Sequence, residues 1–272
     1  MAALAAGGAA MAQSTGVTHY VRFEQQGKIS YGILEGDSIQ PIDGGLFGNH
    51  APVGEKVPLA GAKLLYPCEP TKVLCVGLNY KSHIGSRPTP KNPEMFYKPL
   101  TSLIGPGENI VIPPGAKDVH FEAEFVIVIG KTAKSVTAEQ APEYIFGFTC
   151  GNDVSDRNWQ SGTQGDSKDV QWWRAKGSDT FGPLGPSIAV GLDYNKSRIQ
   201  LRLNGEVKQS QLISDLLFGP NEIVSFVSRY VTLEPGDVIY TGTPGQTSAM
   251  KPGDTVEVEI EGIGILKNQV TA

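Results

Sequence analysis

The sequence predicts a mainly β chain, with a small β unit at its N-terminus and a larger β-rich body behind it. Three observations carry that expectation. The 272 residues include 33 glycines and 19 prolines, a density of turn formers that suits many short strands. From Lys72 onward, short apolar runs alternate with Gly and Pro punctuation. Only two segments, 137–144 (TAEQAPEY) and 221–230 (NEIVSFVSRY), combine helix formers with apolar residues at helical spacing, and both read as short helices.

Taken in order, residues 1–16 are almost entirely Ala and Gly and carry no Lys or Arg. They read as a flexible tail. The alternative is a truncated export signal over residues 1–12, because Ala10-Met11-Ala12 has small-x-small spacing, although a basic start and a strongly apolar stretch are missing. Residues 18–23 (THYVRF) and 29–39 (ISYGILEGDSI) read as strands about the turn Gln26-Gly27-Lys28. A Gly/Pro-rich stretch, 41–58, leads to KLLYP at 63–67, and the composition changes just before Thr71. The expected organisation is a small domain over 17–66 and a catalytic-sized domain over 71–272. Within the second, KVLCVG, ENIVIP, EFVIVIG, IFGFTCGND, SIAV, IQLRL, DVIYTG, DTVEVEI and ILKNQV read as strands.

Composition also excludes several roles. With 23 basic against 28 acidic residues the net charge is −5, so nothing draws a polyanion by bulk charge and no nucleic-acid partner is expected. No run approaches the roughly 18 consecutive apolar residues of a membrane span. The expected location is therefore the cytoplasm, or outside it if residues 1–12 are a signal remnant. The three cysteines, Cys68, Cys75 and Cys150, are odd in number and lack C-x-x-C spacing, which argues against a disulfide framework or a structural zinc and for buried, inert thiols.

The sharpest local signal is HFEAEFVIVIG at 120–130. Glu122 and Glu124 stand two apart at the start of a strand, so alternation puts both on one face, which continues with Val126 and Val128 toward a core. Two carboxylates at the rim of a buried surface repel unless a cation neutralises them. The plainer reading is a soluble edge strand. A third carboxylate, Asp153, follows the apolar run 145–150 at the end of another strand. Three carboxylate oxygen ligands describe a hard-cation site for Mg²⁺ or Mn²⁺. Lys176 lies in a glycine-rich connection that could fold back over such a site and add positive charge for a developing enolate; alone, it would read as a surface lysine.

These residues fall into an ordered set. Gly77-Leu78-Asn79-Tyr80-Lys81-Ser82-His83 comes first, then Phe96-Tyr97-Lys98-Pro99, then the Glu122-Ala123-Glu124 pair. Asn152-Asp153-Val154-Ser155 with Arg157 and Gln160 follows, then Ala175-Lys176, then Thr241-Gly242-Thr243-Pro244-Gly245. The set resembles the fumarylacetoacetate hydrolase (FAH) family from about Thr71 to the C-terminus, and the β unit before it resembles the small N-terminal domain of many members. The resemblance implies an α+β fold dominated by β, a mixed β-sandwich roll with short helices, usually a homodimer. It also implies a Mg²⁺ or Mn²⁺ held by Glu122, Glu124 and Asp153. Lys176 and Gln160 would meet the oxo-acid end of the substrate, Arg157 would also bind substrate, Thr243 would contact substrate or its carboxylate, and His83 would be a lid histidine that works with Lys176 in catalysis.

The substrate class implied is a small oxo acid. C–C hydrolysis of acylpyruvates and related 2,4-diketo acids stands first by precedent; the alternatives are an oxaloacetate-type decarboxylase, a 2-hydroxy-dienoate isomerase or tautomerase, or a non-catalytic module that keeps its metal. Hydrolytic members commonly carry a glutamate three residues after the lid histidine, and here that position is Ser86. Glu94 is the nearby acid that could replace it, and Gly85, Pro88 and Pro90 place His83 on a mobile loop. Trp159, Trp172 and Trp173 form either an apolar substrate wall or part of a dimer interface.

Overall fold

A computed structural model describes residues 16–272, so the expected tail over 1–16 falls, but for Gly16, outside the described residues. Strands β1 (Thr18–Gln25) and β2 (Lys28–Glu35) form a hairpin whose turn, Gln26-Gly27, has φ of 52° and 77°. Two positive φ values match the right-handed twist of the flanking strands, and the glycine takes the second at no steric cost. Then come β3 (Ser38–Pro41), β4 (Val57–Pro58) and β5 (Lys63–Leu64). Val21, Phe23, Leu34, Ile39 and Val57 pack into a small core of their own.

The rest of the chain supplies β6 (Val73–Gly77), α1 (Lys81–Ile84), β7 (Glu94–Lys98), β8 (Leu103–Ile104), β9 (Asn109–Val111), β10 (Val119–His120) and β11 (Ala123–Ile129). After these come β12 (Ile145–Asn152), β13 (Ser155–Asp156), α2 (Arg157–Ser161), α3 (Trp173–Gly177) and β14 (Gly182–Val190). The chain ends with β15 (Arg198–Leu203), β16 (Glu206–Leu212), α4 (Pro220–Tyr230), β17 (Val238–Tyr240), β18 (Thr255–Ile260) and β19 (Gly264–Thr271).

The large mixed sheet runs β4-β3-β2-β1-β14-β12-β11-β17-β6-β7, with β5 on β1 and β8 on β14. β1 joins it by pairing antiparallel with β14, Thr18 opposite Val190. A second sheet runs β16-β15-β18-β19-β9. Between the two sheets lies the main core, with Phe125, Ile127 and Ile129 of β11 in the same apolar cluster as Ile199, Leu201, Val258 and Leu266 of the second sheet. The opposite face of β11, Val126 and Val128, packs in a second cluster with Leu184, Ile188, Val238 and Tyr240. Burial on both faces explains the unbroken EFVIVI run, because a strand covered on both sides has no polar face to alternate.

The architecture is the mainly β one expected, with three local corrections. The expected helix over 137–144 is only a 3₁₀ turn, Ala141–Glu143. Ile145 must enter β12 opposite Ile129, and Pro142 brings no N–H to a helical ladder, so the intervening residues make a capped turn. The expected helix over 221–230 is present as α4, one residue longer, with Pro220 at its start and the Gly219 N–H donating to Glu222 Oε2 at 2.8 Å. Of the strands longer than two residues, two, β7 and β16, were not expected. All three cysteines are buried and free, and burial pushes the Cys68 thiol up to about 12. Among the described residues no helix is long and apolar enough to cross a membrane.

Candidate active site

Two strand ends build the centre. β11 begins at Ala123, so Glu122 precedes the strand and Glu124 is its second residue, while Asp153 follows the last residue of β12. The ends are pinned together: Asp153 N–H donates to Glu122 O at 2.9 Å, and Glu122 N–H donates to the Asn152 side-chain oxygen at 2.8 Å. The edge-strand reading is thereby overturned, since β11 lies inside the sheet between β12 and β17. Glu122, Glu124 and Asp153 are all buried, and one carboxylate oxygen from each lies within 4.8 Å of the others.

The cations around them are unevenly shared. Lys176 Nζ donates to Glu122 Oε2 at 2.8 Å, to Asp153 Oδ2 at 2.5 Å and to Ser155 Oγ at 2.8 Å. Lys98 Nζ, fully buried, donates to Asp153 Oδ1 at 2.6 Å and to the Lys176 carbonyl. Arg157 pairs with Glu122. Burial alone would raise the Glu122 carboxyl, but Arg157, Lys176 and His83 outweigh it and hold the group below the usual range. Glu124 is the exception. Its polar contact among the described residues is the Gly242 N–H, at 2.6 Å to Oε2. Burial, followed by Asp153 and Glu122, pushes its carboxyl well above the ordinary value, with Lys176 opposing. Gly242 makes that contact at φ 102°, and a Cβ there would stand 2.8 Å from that of Asn79, so the position requires glycine.

Three clustered carboxylates, one lacking a cationic partner, fit a hard divalent cation. One more positive charge at this point would offset the burial and the like charges that disfavour the Glu124 carboxylate, and the donor set is all oxygen.

Short helices aim the remaining groups. Asp156 caps α2 by accepting from Trp159 N–H at 2.7 Å. One turn separates Arg157 from Gln160, whose Oε1 accepts from Arg157 Nη1 at 2.7 Å. Lys176 sits on α3 rather than on the glycine-rich connection expected, and Asp169 Oδ2 caps that helix by accepting from Arg174 and Ala175 N–H, each at 2.9 Å. Burial works against the Lys176 ammonium, yet Asp153 and Glu122 raise its pKa.

His83 is likewise on a helical turn, α1, not on the mobile loop expected. Gly245 holds it from both sides. Its carbonyl lies 2.7 Å from His83 Nδ1, and its N–H donates to Ser82 Oγ at 2.9 Å. A carbonyl only accepts, so Nδ1 carries the proton and Nε2 of the neutral ring is a free base. Burial lowers the imidazole pKa, and Glu122 partly opposes this.

The structure brings His83, Glu122, Glu124, Asp153, Arg157, Gln160, Lys176 and Thr243 to the wall of one cavity of about 520 Å³. Neither Ser86 nor Glu94 lines it. Glu94 is exposed on the edge strand β7, opposite Gly77, so its expected entry as the partner of His83 is overturned. The three tryptophans separate: Trp172 lines the cavity edge-on to Phe96, Trp159 is buried under Arg174, and Trp173 is 69% exposed. Lys98 and Gln209 were missed as site residues. The only signal for Lys98 was its place in Phe96-Tyr97-Lys98-Pro99, and Gln209 gave none, because its partners lie on distant strands.

Comparison with known proteins agrees with this geometry. Residues 72–271 match the family model described as fumarylacetoacetate (FAA) hydrolase C-terminal, and residues 18–67 match one described as Rv2993c-like, N-terminal. The Bos taurus protein named oxaloacetate tautomerase FAHD2A, mitochondrial, is 40% identical over 213 residues, covering 74% of this chain and 67% of its own. The crystal structure of 5-carboxymethyl-2-hydroxymuconate delta-isomerase from Mycobacterium smegmatis superposes with a TM-score of 0.86 at 41% identity, over 93% of this chain and 99% of that one. Maleylpyruvate hydrolase from Sphingobium sp. SYK-6, solved with manganese(II) and pyruvate, gives a TM-score of 0.75 at 25% identity, over 93% and 98% of the two chains. A family match over residues 72–271, joined to these likenesses, makes the chain an enzyme of the fumarylacetoacetate hydrolase family.

Proposed function

We propose that this enzyme moves a proton from carbon to oxygen, or from one carbon to another, in a dicarboxylic 2-oxo acid, as a tautomerase or isomerase that depends on Mg²⁺ or Mn²⁺. The observation that carries the reading is the setting of His83. Its Nδ1–H is held by a backbone carbonyl, which fixes the tautomer but adds no negative charge, and no second acid of the lid enters the cavity. A water-activating dyad is thus incomplete, whereas a single neutral imidazole suffices to take a proton from one atom and return it to another. The names of the bovine tautomerase and the mycobacterial isomerase support the same class.

Glu122, Glu124 and Asp153 would hold the divalent cation, which as a Lewis acid would withdraw electron density from the 2-oxo group. His83 Nε2 removes a proton from the carbon beside the ketone, and the same proton is returned to the ketone oxygen to give the enol, or to a more distant carbon when a double bond migrates. Negative charge develops on that oxygen in between, and the Lys176 ammonium lowers its cost. Three cationic side chains balance the three carboxylates; a divalent cation then leaves two positive charges, which a substrate dianion matches. Exposed Arg87 and Lys168 at the rim add attraction for the far carboxylate.

The test is to follow the decay of enol absorbance of oxaloacetate and the hydrolysis of acetylpyruvate with the Mn²⁺-loaded enzyme. Enol–keto interconversion should be accelerated far above the buffer rate while acetylpyruvate is cleaved slowly. Efficient acetylpyruvate cleavage without tautomerisation would overturn the reading in favour of hydrolysis.

A further inference from the structure

Gln209 is a buried amide, 3% exposed, in the otherwise exposed Glu206–Ser210 stretch of β16. A β-bulge lies beside it. Leu201 pairs with Gln209 but Arg202 with Val207, so Lys208 is the extra residue, and the side chain of Gln209 turns inward toward the site strands. There it spans three points. Its Oε1 accepts from the N–H of Ala123, the residue between Glu122 and Glu124, at 3.0 Å. Its Nε2 donates to Thr243 Oγ1 at 2.9 Å and to the Pro244 carbonyl at 2.5 Å.

The chemistry of the partners fixes the amide's orientation twice over. A backbone N–H only donates and a carbonyl only accepts, so oxygen faces Ala123 and nitrogen faces Pro244. One amide N–H therefore remains for Thr243, whose hydroxyl must accept it. Among the described residues the Thr243 hydroxyl makes no hydrogen bond as a donor, and Thr243 lines the cavity. We propose that Gln209 is a positioning residue that locks the Thr243 hydroxyl as a hydrogen-bond donor toward an anionic oxygen of the substrate. The inference rests on the proposed function, whose substrate would occupy the cavity that Thr243 lines, and adds which way the Thr243 proton is held and by what. Without Gln209, no donor occupies the Thr243 lone pair, so the hydroxyl is free to rotate and to present lone pairs rather than its proton to a carboxylate.

The test is a double-mutant cycle on the Mn²⁺-loaded protein, read by calorimetric titration with oxalate, an unreactive dianion, and by KM and kcat on oxaloacetate. Thr243→Val should weaken oxalate binding about tenfold or more, as expected for a lost hydrogen bond to a charged group. Gln209→Met, of similar length but without donor or acceptor, should weaken it at least fivefold and raise KM with kcat within about threefold. In the Thr243→Val background the same change should add less than twofold, because the hydroxyl it acts through is gone. Equal losses in both backgrounds, or wild-type oxalate affinity in Gln209→Met, would overturn the proposal. Should Gln209→Met fail to fold, Gln209→Glu keeps an acceptor for Ala123 while its second oxygen captures the Thr243 proton, and unchanged oxalate affinity would overturn the proposal equally. A wild-type protein that binds oxalate yet leaves oxaloacetate unchanged would refute the proposed function while the cycle still decides the role of Gln209.

Discussion

Replacing Lys176 by methionine removes the ammonium that Glu122 and Asp153 share at 2.8 and 2.5 Å. Two consequences separate in the assay. In the proposed mechanism the ammonium stands beside the developing oxyanion, and the loss of one such preorganised positive donor is worth roughly 2.7–4 kcal/mol, so kcat should fall about 10²–10³-fold. In stability, breaking one partner out of a buried ionic cluster costs about 3–5 kcal/mol. Lys98 stays on Asp153 and Arg157 on Glu122, so the lower end applies. At about 2–4 °C per kcal/mol for a chain of this size, the metal-free variant should melt roughly 6–12 °C below wild type. Mn²⁺ bound as proposed would supply positive charge at the same carboxylates, so its addition should narrow that gap while metal content stays at the wild-type level. Turnover within tenfold of wild type would remove Lys176 from the mechanism, and a melting gap that Mn²⁺ leaves unchanged would show that the ammonium and the cation do not share one cluster.

Glu124→Gln keeps the acceptor for Gly242 N–H and removes the one carboxylate without a cationic partner. Divalent-cation affinity should fall by at least the roughly 10–100-fold that even outer-sphere changes cost, with melting of the metal-free protein nearly unchanged, both read by titration and calorimetry. Burial lowers the His83 pKa below its ordinary 6.5, and in the proposed mechanism the neutral ring is the base. The kcat/KM profile should therefore rise with pH through a value below 6.5 and flatten above it, and His83→Gln should abolish that limb. Glu94→Gln should leave turnover of oxaloacetate within about twofold, because Glu94 stands outside the cavity; a tenfold fall would restore it as a partner of His83.

The parts legible in the sequence were those written by local periodicity. The two-residue alternation of β11 placed Glu122 and Glu124 together, and the end of an apolar run placed Asp153, so a hard-cation centre could be read before any fold was known. The position of His83 could be read but not its restraint, because Gly245 lies 162 residues away in the chain. Lys98 hides for the same reason, since a lone lysine acquires meaning only from Asp153, 55 residues on. β16 was missed because it is an edge strand with exposed polar residues, and such a strand carries little apolar signal. At 137–144 helix propensity misled, because the sheet dictated where Ile145 must enter β12.

The most direct test of the centre is anomalous diffraction from crystals grown with Mn²⁺. One peak per chain is predicted, bonded to one oxygen each from Glu122, Glu124 and Asp153 at about 2.0–2.2 Å, with Lys176 and His83 facing the same cavity. The absence of a peak at saturating Mn²⁺, or a peak bound to other residues, would contradict the account.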